Sequence, residues 1–237
     1  MNDLDALKHT LINAGKVLEF LGQGDMTRGH VSARVPGTPE HFIMKPHSIG
    51  FDEITMDNII TFDLEGDVVA GTARPHSERY IHSEIYRVRP DIHAVIHSHP
   101  VHAVAFSNTG QKMKALSQGG AIFKDALGMF TDTIDLIRSK DTGAAVARAL
   151  GPHHAVLMRS HGVALGAGSI EAAVVLSVGL EEACRIQLLT TASGHDGWEY
   201  PDADVAALRQ KLTRPDQFEV NFNYLVRKMQ RAQSAKC

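Results

Sequence analysis

The run Asp91-Ile92-His93-Ala94-Val95-Ile96-His97-Ser98-His99-Pro100 constrains this chain more than any other stretch, because it reads as an apolar strand that ends in a chelate. On an extended strand, residues two apart point to one face, so His97 and His99 present two imidazoles to one divalent ion while Ser98 faces away. Six of the fourteen histidines fall between His76 and His102, a clustering of the commonest metal-ligand side chain beside a strand end. A lone histidine in an apolar strand is ordinarily a hydrogen-bonded core residue; it is the pair that points to metal.

With 237 residues, 43% of them hydrophobic, the chain can bury one sizeable core, and one domain over 1–237 is expected. A formal charge of -3 supplies no concentrated basic surface, which argues against nucleic acid or an anionic membrane as main partner and leaves small molecules and other protein chains. Gly, Asp, Arg or Lys interrupts every hydrophobic stretch short of the roughly 20 apolar residues a membrane span needs. Cys184 and Cys237 give no disulfide framework, and Met1-Asn2-Asp3-Leu4-Asp5 lacks the basic-then-apolar order of a signal peptide. A soluble, cytoplasmic protein is expected.

Leu4, Leu7, Leu11, Ala14, Val17, Leu18 and Leu21 recur at helical spacing, and Gly22 and Gly24 stop the helix. Short strands are predicted at Val31 to Arg34, His41 to Met44, Ile59 to Phe62 and Val68 to Ala70, and the close turns between them imply antiparallel pairing. A helix follows from Glu78 to about Val88, with Ser77 as its cap and Arg89-Pro90-Asp91 as its end. Another helix starts near Val101. Ala155 to Arg159 and Val163 to Leu165 form a hairpin through Ser160-His161-Gly162, where Gly162 is expected to permit the sharp turn. A long apolar helix from Ile170 to Ala192 and two helices within about 204–232, separated by Arg214-Pro215, complete the chain. No repeat, low-complexity tract or Rossmann glycine fingerprint occurs, so a compact α/β or α+β domain with an antiparallel or mixed sheet is expected.

A third metal ligand must come from elsewhere. His161 stands at another strand end before a glycine, with His153 and His154, in a polar turn, as competitors; His93 and His102 read as packing or outer-sphere residues. Three neutral imidazoles leave a divalent ion its full charge and an open position, which suits a Lewis-acid site. Such a site needs a proton-transfer group, and Glu78, in the first turn of the helix that leads into the histidine strand, is the candidate.

Arg74-Pro75-His76-Ser77-Glu78, then His97-x-His99, then Ser160-His161-Gly162 before a hydrophobic strand and helix, resemble the class II aldolase/adducin family in order and spacing over about residues 5–193. The resemblance implies a three-layer α/β/α domain with a central, largely antiparallel sheet. It also implies Glu78 as catalytic acid/base, His97, His99 and His161 as ligands of one divalent ion per subunit (Zn, Mn, Fe or Co), and a homotetramer with active sites at subunit interfaces. The helices at about 204–232 are then expected to contact a neighbouring subunit, with Tyr200, Phe222 and Tyr224 as candidates to enter its site.

The family's aldolases hold phosphate in segments that align here with Thr27-Arg28-Gly29-His30, Pro46-His47-Ser48 and His76-Ser77. Imidazoles stand where the family has Asn or small hydroxyl residues: His30, His47 and His76. Three flat, hydrogen-bonding rings suit an aromatic ring bearing carboxylates better than a flexible sugar phosphate, and these groups with Arg28 and Lys45 are candidates to hold a second carboxylate. The run Gly29-His30-Val31-Ser32-Ala33-Arg34, with Lys45-Pro46-His47 and Arg74-Pro75-His76, resembles the family's aromatic decarboxylase branch, typified by hydroxypyridine-dicarboxylate and dihydroxyphthalate decarboxylases. Thr27, Arg28, His30, His47, Ser48, His76 and Ser77 are the substrate-binding candidates. The implied activity is decarboxylation of a hydroxylated aromatic (di)carboxylate through a metal-stabilised enolate, with Glu78 as proton donor. The alternatives are a sugar-phosphate aldolase or epimerase and a non-catalytic adducin-like module.

Overall fold

The computed structural model describes residues 2–235; Met1, Lys236 and Cys237 lie outside them, and with Cys237 its part in the disulfide argument. Helix α1 (Asp3–Phe20) begins where Asn2 accepts the Asp5 N–H at 2.8 Å and buries Leu11, Ala14, Val17 and Leu18 on one face. Strands β1 (His30–Val35), β2 (Thr38–Met44), β3 (Ile60–Asp63) and β4 (Val68–Ala70) follow as a meander. Helix α2 (Arg79–Val88) leads into β5 (Ala94–Ser98), and α3 (Val101–Ser107) leaves it. Then come α4 (Gln118–Phe123), β6 (Leu127–Phe130), α5 (Lys140–Leu150), the hairpin β7 (Ala155–Met158) and β8 (Gly162–Ala167), and α6 (Ile170–Ala192), α7 (Asp202–Leu212) and α8 (Pro215–Ser234).

All eight strands form one sheet in the order β4-β3-β2-β1-β5-β8-β7-β6. Every neighbouring pair is antiparallel except β6–β7. Strand alternation sends Val31, Ala33, Ala94, Ile96, Leu157 and Leu165 into a core shared with α1, α6 and α8, and Phe42, Val95, Val156, Met158 and Ala164 into a second core under α2 and α5. The result is the expected α/β/α fold. No helix among the described residues is long and apolar enough to cross a membrane.

Four expectations change. The segment 118–150, with α4, β6 and α5, carries regular structure that the spacing of apolar residues did not announce. Ser77 does not cap α2: Glu78 occupies the N-cap position, with no side-chain cap bond. The left-handed residue of the β7–β8 turn is Ser160, at φ 59°, not Gly162. Gly162 is needed for a different reason, because a Cβ there would meet His99 Cδ2 and the Ser98 carbonyl oxygen, each at 2.5 Å. Finally, Phe222 is buried with Phe218 and Met229 in its own chain's core, while Tyr200 and Tyr224 are exposed.

Candidate active site

Strand β5 carries His97 fully buried at its end, and His99 lies just past it. Their Nε2 atoms stand 3.1 Å apart with the rings nearly perpendicular. The β7–β8 turn brings His161 to the same point, and donor atoms of the three histidines lie within 4.8 Å of one another. His153 and His154 are not part of this group; their turn lies at the other end of β7, where Arg89 holds the Gly151 and His153 carbonyls at 2.7 and 3.0 Å. His93 is exposed, and His102 pairs with Glu181 of α6 at 2.6 Å, a helix-to-helix contact.

The donor set fits a divalent cation. His97 Nδ1 lies 3.0 Å from the Val163 carbonyl oxygen and so carries the hydrogen, leaving a lone pair on Nε2. Asp25 Oδ2 stands 3.3 Å from His99 Nδ1, which orients the second ring in the same sense. Neither ring nitrogen of His161 has a hydrogen-bond partner despite burial. Two nitrogens bound at about 2.0–2.1 Å to one tetrahedral ion stand roughly 3.3 Å apart, close to the separation found here. Burial, reinforced by the neighbouring imidazoles, holds His97 well below its ordinary pKa and pushes His161 down to about 4; burial also lowers His99, against the pull of Asp25. All three are thus neutral at pH 7, the form that can ligate a metal.

Glu78 faces this triad from the start of α2, with Oε1 3.5 Å from His161 Nε2 and Oε2 3.9 Å from His97 Nε2. Its carboxylate accepts a hydrogen bond from the Ile137 N–H, at 3.0 Å to Oε1. Burial raises the Glu78 pKa and Asp135 adds to it, while the Ile137 N–H and Arg138 pull it down. The carboxyl is thereby moved toward the protonated form, as a proton donor near neutrality requires.

A cleft of about 690 Å³ opens over these groups. Of the seven substrate-binding candidates, Thr27, Arg28, His47, His76 and Ser77 line it. The other two require correction. His30 is fully buried beneath Glu78, its ring 4.1 Å from that of His76 and 4.8 Å from that of His97. Ser48 is exposed and lies 2.6 Å from His47 Nδ1, outside the cleft lining. Lys45, also buried, holds the Thr27 and Pro46 carbonyls at 3.1 and 3.4 Å, tying two wall loops together. Burial pushes its ammonium down to about 8, partly offset by Glu53.

Residues not foreseen complete the lining: Asp25, and the apolar side chains of Val101, Val104, Ile134 and Leu136. Only His82, behind the cleft, had a readable signal. Glu78, His82 and Tyr86 are spaced by four on α2, and His30, Ser32 and Arg34 by two on β1, so both sets face the same helix–sheet seam. The loop that supplies Ile134, Leu136 and the Ile137 N–H has no comparable periodicity.

The family described as Class II Aldolase and Adducin N-terminal domain matches residues 9–188. A 4-hydroxy-3-prenylphenylpyruvate oxygenase/4-hydroxy-3-prenylbenzoate synthase of Streptomyces roseochromogenus subsp. oscitans is 35% identical over 175 residues, 72% of this chain and 62% of the relative, so the chain spans less than two thirds of that protein. A 3,4-dihydroxyphthalate decarboxylase of Arthrobacter keyseri is 28% identical over 208 residues, 82% of this chain and 83% of the relative. An L-fuculose 1-phosphate aldolase from Glaciozyma antarctica PI12 superposes with a TM-score of 0.85 at 24% identity, covering 97% of this chain and 90% of that one.

Proposed function

The chain belongs to the class II aldolase and adducin family, and from that premise we propose that it is a metal-dependent carbon–carbon lyase that decarboxylates a hydroxylated aromatic mono- or dicarboxylate. The observation that carries this reading is a buried acid of raised pKa set against a three-imidazole chelate, under walls of imidazole and apolar side chains. His47 and His76 on one side and Val101, Val104, Ile134 and Leu136 on the other suit a flat ring. After burial, Arg74, Lys45 and Arg138 lower the pKa of His47, which marks that wall as electropositive and suited to a second carboxylate.

His97, His99 and His161 would hold the ion, which when bound supplies Lewis acidity to a ring hydroxyl and its neighbouring carboxylate. Zinc, manganese, iron and cobalt all accept such a donor set. Glu78, protonated, gives its proton to the ring carbon that bears the leaving carboxylate. That carbon's bond to the carboxylate then breaks, carbon dioxide departs, and the bonding pair returns to the ring, so that hydrogen replaces the carboxylate. Glu78 is left ionised, with the Ile137 N–H on Oε1. Once a neighbouring subunit covers them, the apolar walls would exclude water from the carbon being protonated.

The test is to incubate metal-loaded protein with 3,4-dihydroxyphthalate and follow carbon dioxide, dioxygen and ring product together. Carbon dioxide released in proportion to product, with no dioxygen consumed, supports the reading. Oxygen uptake in step with product, or cleavage of a sugar 1-phosphate in its place, would overturn it. A homotetramer that covers the exposed rim residues Val101 and Ile134 belongs to the same proposal, and its mass in solution tests it.

A further inference from the structure

Behind Glu78, the α2–β1 seam holds a buried polar chain. His30 Nδ1 lies 2.6 Å from His82 Nε2, His82 Nδ1 lies 2.6 Å from Ser32 Oγ, and Ser32 Oγ lies 2.8 Å from the Tyr86 hydroxyl. All four side chains are essentially excluded from solvent. We propose that His30 is a positioning residue for Glu78, its ring fixed with the hydrogen on Nε2 and aimed at Glu78 Oε2 by a one-way hydrogen-bond chain that starts at Tyr86.

The direction follows from counting donors. Burial raises the pKa of the Tyr86 phenol, which stays protonated, and Ser32 Oγ is the acceptor within its reach. Ser32 therefore turns its own hydrogen to His82 Nδ1. Burial holds His82 neutral, with its pKa down at about 3, so its single N–H is on Nε2 and is donated to His30 Nδ1. His30 Nδ1 accepts that hydrogen, so the ring's own hydrogen is on Nε2. That atom has no hydrogen-bond partner and stands 3.8 Å from Glu78 Oε2, one small rotation from a hydrogen bond.

Two consequences follow. A donor facing Oε2 gives the carboxylate a place to settle once its proton has left, and it keeps the acid aimed at the cleft. A protonated Nε2 also has no lone pair for a cation. His30, His76 and Glu78 bring donor atoms within 4.8 Å of one another, as the triad does, yet the hydrogen-bond direction removes His30 from any ligand set and leaves the triad as the one candidate cation site among the described residues.

The role of Glu78 rests on the proposed lyase reading; the tautomer does not. Zinc-loaded protein labelled with ¹⁵N-histidine is measured by long-range ¹H–¹⁵N NMR, with His30→Gln and His82→Gln to assign the signals. The expected result is a hydrogen on Nε2 of both His30 and His82, and one zinc per chain. In Ser32→Ala or Tyr86→Phe a second tautomer is expected, with kcat about tenfold lower and KM and zinc content unchanged, effects of the size usual for partners that orient a site. His30→Gln, which keeps an N–H near the same place, is expected to retain more kcat than His30→Ala. A hydrogen on His30 Nδ1, two zinc ions per chain, or full kcat in His30→Ala would overturn the proposal. An inactive wild type would overturn the decarboxylase reading instead, because tautomer and zinc count are read without substrate.

Discussion

Two groups of histidines meet at Glu78 and differ in what they present to it. In His97, His99 and His161, ring nitrogens converge on one point, neither nitrogen of His161 has a partner, and the hydrogen on His97 is turned outward to the Val163 carbonyl. In His30 and His82 the hydrogens are turned inward along a chain anchored by Ser32 and Tyr86. The same side chain thus offers a lone pair in one group and a hydrogen in the other, and for His97 and His30 the difference lies in what binds the far nitrogen. Burial makes all of them neutral; it does not distinguish them.

The sharpest way to break this comparison is to remove one member of each group. His97→Ala or His161→Ala is expected to abolish both bound metal and turnover, while His82→Ala keeps the metal; equal metal loss in all three, measured by elemental analysis, would erase the distinction. Glu78→Gln is expected to lower kcat by about 10²- to 10⁴-fold with metal retained, the range for loss of a positioned acid, and steady-state kinetics on the metal-loaded variant checks it.

Acid titration probes the burial of both groups, and of His76, without substrate. The folded pKa values of His82 and His76, about 3 and about 2, lie below the unfolded value near 6.5. Stability is therefore full above pH 6.5 and is lost as pH falls toward the folded values, because the unfolded chain then binds more protons. Each such histidine steepens the loss by about 1.4 kcal/mol per pH unit. Urea unfolding of metal-free protein at pH 7 and pH 5 should show a drop of several kcal/mol, and equal midpoints would mean that these rings are charged in the fold.

Gly162→Ala is expected to cost about 1–3 kcal/mol of stability by overpacking, and about tenfold in metal affinity by displacing His99. Thermal unfolding and a competitive metal titration measure the two effects. Ser48→Ala removes the partner of His47 Nδ1 and is expected to lower kcat/KM by less than about tenfold, below the effect of losing a partner that orients the metal site, as steady-state kinetics would show.

What could be read from the chain follows the strength of local periodicity. The α1 stripe, the β1–β4 strands with their turns, and His97-x-His99 are patterns of spacing, and they appear where expected. The 118–150 segment was silent because its apolar positions are broken by glycines needed elsewhere: Gly143 lets α5 pass so close to the Tyr80 carbonyl that a Cβ would collide with it. His30 was misread for a related reason. Its place in the chain is that of a wall residue, but its direction is set by alternation along β1, which points it to α2 and away from the cleft. Asp25 and the Ile137 N–H could not be read at all, since each reaches the site through a loop whose path depends on the completed sheet.

The site's floor is carried by β5, the β7–β8 turn and α2, whereas much of its wall comes from the loops around residues 25–28, 46–48 and 134–136. Such a division makes the scaffold evolvable: substitutions that reshape the cavity need not disturb the groups that perform the chemistry. On the proposed function, recombining those three loops among relatives while holding Asp25, Glu78, His97, His99 and His161 constant is thus a route to new carboxylate substrates on an unchanged reaction centre.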